Sequence, residues 1–322
     1  MTLRVAPIGV DAFPGWSAGI RERLAAQRVD AGTWAAGQAA GRAAELFAKL
    51  LPEGLGSVGH RVWTLEQGPA RVGTAWLRLE DTASGVDGFL FDVAVEAGRS
   101  ASDLGAAVMA AVEAAAASCG VSTMRVNVFD RDTATGALLS GRGYAPAATQ
   151  MSLDLTQPAL DHAGPPAPSI KLRLMTVAEY AAFRVDQQAV YADELRDSGL
   201  AAPEAAAARA AAELVELLPV AGPPAGHLLW TAWAADRAVG HLWLAVDDHH
   251  DGPRAFVYDI AVTADARRRG YGRVIMQAAE QMARDRGCTS IGLSVFGFNH
   301  PARALYDALG YQPTETLLRK TL

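Results

Sequence analysis

The chain has 322 residues, half of them hydrophobic and a fifth charged, with a formal net charge of -6 and a pI near 5.7. That length accommodates two ordinary domains, and the acidic balance argues against a nucleic-acid partner, whose phosphates need a basic surface. No run approaches the roughly 18 apolar residues of a membrane span, no basic-then-apolar leader opens the chain, and Cys119 and Cys288 lack metal-ligand spacing, so a reduced, cytoplasmic protein without a metal is expected.

In chain order, the first half sets out a series of segments that the second half repeats at a constant offset of 167 residues. "KLLPEGLGSVGH" (49–60) falls on "ELLPVAGPPAGH" (216–227), and "GTAWL" (73–77) on "GHLWL" (240–244). "FLFDVAV" (89–95) falls on "FVYDIAV" (256–262), and "GRGYAP" (141–146) on "ALGYQP" (308–313). The matched pairs Trp76/Trp243, His60/His227, Asp92/Asp259 and Tyr144/Tyr311 do not follow from an alanine-rich composition. The chain therefore holds two copies of one module, a reading that has to precede any other. A stretch rich in proline and small residues, 156–169, joins them. The expected division is 1–155, linker 156–169 and 170–322.

The second copy opens with the strand "IKLRLM" (170–175), then helical periodicity over 178–196 and 203–218. "HLLWTAWA" (227–234) and "AVGHLWLAV" (238–246) are strands joined by a hairpin-length loop. A third strand, 254–262, follows the loop "DDHHDGP" (247–253), which reads as a solvated connection, with binding of a metal or orientation of a cationic substrate as the alternative. A helix within 265–287, a strand over 289–297, a short helix over 301–309 and a last strand complete the order. The result is a mixed α/β module of about 150 residues.

Between the third strand and its helix lies "DARRRGYGRV" (265–274). The first N–H groups of a helix have no intrahelical partner and carry about half a positive charge. Gly270 and Gly272 would let a ligand approach the backbone, and Arg267, Arg268 and Arg269 add charge beside it. The arrangement suits a phosphate or pyrophosphate. A Walker loop is excluded because no Gly-Lys-Ser/Thr follows, and the dinucleotide fingerprint because a third glycine is missing.

"RRRGYG" (267–272) resembles the acyl-CoA loop of the GNAT superfamily of N-acetyltransferases, and "LSVFGFNHPARALYDALGYQP" (293–313) resembles that family's second motif. The likeness covers 170–322, and 2–155 more weakly through the repeat. It implies two tandem modules, each a mixed, mostly antiparallel twisted sheet with a splayed central strand pair and helices on both faces. It also implies that main chain at Ile260, Ala261 and Val262 pairs with the pantetheine arm of acetyl-CoA. Backbone around Arg267, Arg268, Arg269, Gly270, Tyr271, Gly272 and Arg273 would take the pyrophosphate. Asn299 and Ala302 would meet the CoA moiety, and Tyr306 would stand near the sulfur.

A phenol near pKa 10 can donate to a departing thiolate, which makes Tyr306 the candidate acid. Asp259 is a candidate base, with a water chain as the alternative; Asp92 at the same place in the other copy argues for a structural carboxylate hydrogen-bonded to a turn. His241 reads as a core or surface histidine, and Tyr191, Asp193 and Glu194 as weaker acceptor-pocket candidates. In the first copy the three arginines become Ser100, Ala101 and Ser102, and Gly270 becomes Asp103. Asn299 becomes Asp132 and Tyr306 becomes Leu139. A carboxylate at 103 would repel a pyrophosphate, so the first copy is expected to be catalytically dead and to be kept for packing as an intramolecular pseudo-dimer that shapes the acceptor pocket. The chain is expected to be a monomer or weak homodimer. The expected activity is acetyl transfer from acetyl-CoA to a small-molecule primary amine. Longer acyl donors, mycothiol-like thiol chemistry, aminoglycoside modification and a non-catalytic CoA-sensing scaffold are the alternatives.

Overall fold

The computed structural model describes residues 3–82, 85–96, 101–158, 168–249 and 252–322, with backbone alone at 101–103 and 248–249. The first repeat runs β1 (Arg4–Pro7), α1 (Phe13–Asp30), α2 (Ala36–Leu50), β2 (His60–Gln67), β3 (Ala70–Thr82) and β4 (Gly85–Val95). It continues with α3 (Ala101–Ser118), β5 (Val121–Phe129), α4 (Thr133–Leu139) and β6 (Ala145–Asp154). The second repeat gives β7 (Lys171–Leu174), α5 (Val177–Asp197), α6 (Pro203–Leu217), β8 (His227–Ala234), β9 (Arg237–His249) and β10 (Gly252–Val262). It ends with α7 (Tyr271–Asp285), β11 (Ser290–Phe296), α8 (His300–Ala308) and β12 (Gln312–Thr321). The expected element order is thus present twice.

The compact units are Met1–Ala147 with Thr314–Leu322, and Ala148–Pro313. They differ from the expected boundaries, because each repeat gives its last strand to the other unit. Strand β6 pairs antiparallel with β11, from Ser290↔Asp154 to Phe296↔Ala148. Strand β12 pairs antiparallel with β5, from Glu315↔Phe129 to Thr321↔Thr123. A ladder is made of backbone groups common to all residues, so it is satisfied equally by either copy's strand. Residues 159–167 of the linker lie outside the described residues.

In the first unit the strands run β1-β2-β3-β4-β5-β12, and in the second β6-β11-β10-β9-β8-β7. All described pairings within each unit are antiparallel except β4–β5 and β10–β11. Helices cover both faces of each sheet, and period-two alternation assigns the side chains. In the second unit Trp230, Leu242 and Leu244 join Ile275, Met276 and Ala279 of α7 in one cluster. Leu229 and Trp243 turn the other way, onto Tyr180, Phe183 and Leu214 of α5 and α6. The first unit repeats this with Leu65, Ala75 and Leu77 toward α3 and with Val62 and Trp76 toward α1 and α2. Each central tryptophan is fully buried and donates its indole N–H to a histidine Nδ1 at 3.0 Å, Trp76 to His60 and Trp243 to His227.

Two features shape the cleft of each unit. A bulge leaves Tyr258 outside the β9–β10 register and Phe91 outside the β3–β4 register. Beside it, a Cβ at Gly240 or Gly73 would run into the carbonyl oxygen of Ala261 or Ala94, so the strands approach too closely for any side chain.

Candidate active site

The parallel ladder between β10 and β11 joins Ala255–Val257 to Ile291–Leu293 and ends there. On its other side β10 continues to pair with β9 as far as Val262↔Gly240. The segment Asp259–Val262 therefore diverges from β11, the splay expected from the sequence. Ile260, Ala261 and Val262 line it with main chain on the β11 side. The first unit has the same opening, since its β4–β5 ladder ends at Leu90↔Val126.

Helix α7 begins at the end of this segment. Its N-cap, Gly270, has φ +85° and contributes no side chain to the first N–H groups, and no acidic residue occupies the first turn. Those groups remain free for an anion. Arg268 also sits at positive φ, +59°, an uncommon place for a side-chain-bearing residue. Arg267 Nε donates to the Val262 carbonyl at 3.2 Å, which ties the loop to the strand. A Cβ at Gly272 would press on Leu305 at 3.2 Å, and one at Gly270 on Pro168 at 3.3 Å. Arg269, Tyr271 and Arg273 complete the turn. This is a cradle that fits a diphosphate.

Asn299 is the N-cap of α8, and its Oδ1 accepts from Ala302 N–H at 3.2 Å. Asp132 does the same for α4 through Thr135. The residue expected to meet CoA thus also holds a helix start, and does so in both copies. From α8, Tyr306 reaches the core beside Tyr311, 6% exposed.

The splay brings together four groups. The bulge at Tyr258 turns Asp259 so that its Oδ2 lies 2.5 Å from His241 Nε2. His241 sits diagonally across the ladder, opposite Ala261, with its ring edge-on to Phe183 at 5.1 Å. On α5, Glu194 is half-buried; burial first, and the charge of Asp259 second, push it up to about 7. Burial, then Asp259 and Glu194, raise the Tyr306 phenol above its ordinary value, so it stays protonated. The structure thus replaces the expected core or surface histidine with the partner of Asp259. The other two acceptor candidates are engaged elsewhere: Tyr191 donates to Glu213 at 2.5 Å, and exposed Asp193 pairs with Arg196 at 2.7 Å. In the loop 247–253, residues 250–251 and the side chains of 248–249 lie outside the described residues.

In the first unit the equivalent positions are filled by the protein itself. Arg23 of α1 grips Asp92 with two hydrogen bonds, Nε–Oδ1 at 3.0 Å and Nη2–Oδ2 at 2.9 Å. Gln27, one turn on, donates to Asp132 Oδ2 at 2.8 Å. The expected turn partner of Asp92 is therefore a helix arginine. The matched segments that define the offset begin at Lys49; the same offset lays Arg23 on Val190 and Gln27 on Glu194, where the two sequences differ. Ser100 lies outside the described residues, as does the side chain of Asp103.

The acetyltransferase (GNAT) family model matches residues 188–311, inside the second unit. An uncharacterised N-acetyltransferase of Bacillus subtilis (strain 168), YycN, is 30% identical over 155 residues, which are 48% of this chain and 99% of that protein. A mycothiol acetyltransferase of Rhodococcus jostii (strain RHA1) is 36% identical over 93 residues, 27% of this chain and 30% of that one. Among solved structures, a tandem GNAT protein from the clavulanic acid biosynthesis pathway aligns over 99% of this chain and 98% of its own, with 20% identity and a TM-score of 0.48. The chain belongs to the GNAT acetyltransferase family.

Proposed function

We propose that the second unit transfers an acetyl group from acetyl-CoA to the primary amine of a small molecule, and that the first unit is catalytically silent. The observation that carries this reading is the gathering of Glu194, Asp259, His241 and Tyr306 at the splay below an uncapped, arginine-flanked helix start. Acetyl-CoA, when bound, supplies the thioester; the uncapped N–H groups at Gly270–Arg273 suit its pyrophosphate. Asp259, fixed by His241, holds the cationic amine. Glu194 takes its proton, since a carboxyl poised near neutrality exchanges protons at working pH. The amine nitrogen bonds to the acetyl carbon, the carbon–sulfur bond breaks, and Tyr306 gives its proton to the departing sulfur.

The test is thiol release from acetyl-CoA with a panel of small amines. Turnover should fall sharply in Tyr306→Phe and in Gly270→Asp, the latter because it places a carboxylate and a strained φ in the cradle. Unchanged turnover in both variants would sink the assignment. Calorimetry should count one CoA per chain; two equivalent sites would contradict the silence of the first unit.

A further inference from the structure

Glu280, in the third turn of α7, is 6% exposed, and its Oε1 has no hydrogen-bond partner. A buried carboxylate with no bonded cation is costly. Burial pushes this one up to about 7, and the opposing pull of Arg284 and of the Tyr311 hydroxyl does not offset it.

The first unit meets the same demand from within the chain. Glu113 and Tyr144 stand where the second unit has Glu280 and Tyr311. There Lys320 Nζ donates to Glu113 Oε2 at 2.6 Å and lies 5.5 Å from the centroid of the Tyr144 ring. Lys320 is opposite Met124 in the β12–β5 ladder. In the second unit, Leu153 is opposite Ile291, the counterpart of Met124, in the β6–β11 ladder. The strand exchange therefore puts leucine where the first unit has its ammonium. Next to it is a cavity of about 390 Å³, bounded by both Leu153 and Glu280 and by Asp154, Gln277, Gln281, Gln312 and the cationic Arg284, which forms no ion pair with Glu280. Asp154 Oδ1 is already engaged by the backbone and hydroxyl of Thr156. Leu309 and Pro158 supply apolar cover on the same wall.

We propose that this cavity binds a small primary alkylammonium, with the Glu280 carboxylate as its counter-charge and the glutamine amides as further acceptors. The volume lies within the range of small-molecule sites. The ligand would restore the carboxylate–ammonium pair that Lys320 builds in the first unit. The proposal does not depend on acetyl transfer, because it rests on the opposite end of α7 from the arginine loop.

The experiment is calorimetric titration of the full chain with ethylammonium at pH 8, where Glu280 is ionised. An Asp259→Asn background removes competing binding at the reaction centre. Saturable binding is expected, weakened at least about tenfold by Glu280→Gln. Leu153→Lys, which rebuilds the first unit's own pair, should abolish binding and raise Tm. This second variant keeps the test decisive should Glu280→Gln fold poorly. Absence of saturable binding in the Asp259→Asn protein, or equal affinity in the variants, overturns the proposal. Neither result bears on thiol release, so the two readings fail separately.

Discussion

Asp92 and Asp259 occupy the same place in the two units, past the same bulge and at the same point of strand divergence. Asp92 is locked by an arginine reaching from α1, whereas Asp259 faces a histidine and, electrostatically, Glu194 and Tyr306. One fold thus yields a closed arginine–carboxylate pair in one unit and a histidine–carboxylate contact beside Glu194 and Tyr306 in the other. The difference lies less in the strands, which match closely, than in which side chains the flanking helices send into the cleft. Losing Tyr306 to Leu139 removes a proton donor; gaining Arg23 and Gln27 also fills the space. The silence proposed for the first unit would be built by addition as much as by loss.

The largest effect should come from Tyr306→Phe. General acid catalysis contributes about 10²–10⁴-fold, so kcat is expected to fall at least about a hundredfold with the thermal transition retained. The mirror change, Leu139→Tyr, should add no turnover in a Tyr306→Phe background, because Arg23 still holds Asp92. Thiol release by both variants measures the two arms. Recovery of turnover in the double variant would mean that the cleft of the first unit is open after all.

Next comes Arg23→Ala. It leaves Asp92, whose side chain is 7% exposed, without its partner, while Arg23 itself is 39% exposed. Breaking a buried pair costs about 3–5 kcal/mol, and the half-exposed arginine reduces this to about 2–3 kcal/mol. Denaturant unfolding should show the loss at neutral pH and little of it near pH 3, where the carboxylate takes a proton. His241→Ala is the contrast. Asp259 keeps 19% of its side-chain exposure, so stability should drop by only about 1 kcal/mol while turnover suffers.

These two predictions also mark what the sequence could and could not reveal. Offset matching located the repeat, the element order, Asp259 and the arginine loop, because each is carried by a local pattern or a fixed spacing. The strand exchange was hidden: periodicity identifies "APAATQMSLD" and "QPTETLLRKT" as strands but says nothing of which edge each completes. His241 was misread because the bulge at Tyr258 changes which side chains meet across β9 and β10. Arg23 and Glu194 come from α1 and α5, which correspond at the fixed offset but share little sequence there, and their facing is set by tertiary packing.

A smaller effect separates the clefts by pH. Glu194 is raised from the ordinary carboxylate range to about 7, burial being the larger cause. A group raised on folding contributes stability that is complete below its unfolded pKa, near 4.5, and is lost as pH climbs through about 7. Glu194→Gln should therefore flatten the decline between pH 5 and 8 by about 2 kcal/mol or less. Glu280, also raised to about 7, keeps part of that decline in place. In the same window kcat/KM should rise with pH in the parent protein and lose that rise in Glu194→Gln. A retained slope would move the base role to the Asp259–His241 pair or to water.

The smallest expected effect concerns how each first helix starts. Thr176 caps α5 in a closed box: its Oγ1 accepts from Glu179 N–H at 3.2 Å, and Glu179 Oε2 accepts from Thr176 N–H at 2.8 Å. Arg173 reinforces Glu179 at 2.6 Å; this bond, followed by those from Thr176, holds the carboxyl down at about 2. Helix α1 has Ala12 at its N-cap, at φ −85° and ψ −18°, because a turn of 3-10 helix leads straight into it. Thr176→Ala should cost about 1 kcal/mol, the usual value of a cap. Ala12→Thr should return nothing, since a capping side chain reaches the helix N–H groups only from extended backbone, as at Thr176 with ψ 165°. If Ala12→Thr stabilised the chain as much as Thr176→Ala destabilised it, the two helix starts would be equivalent. The contrast between the units would then begin only at the sheet.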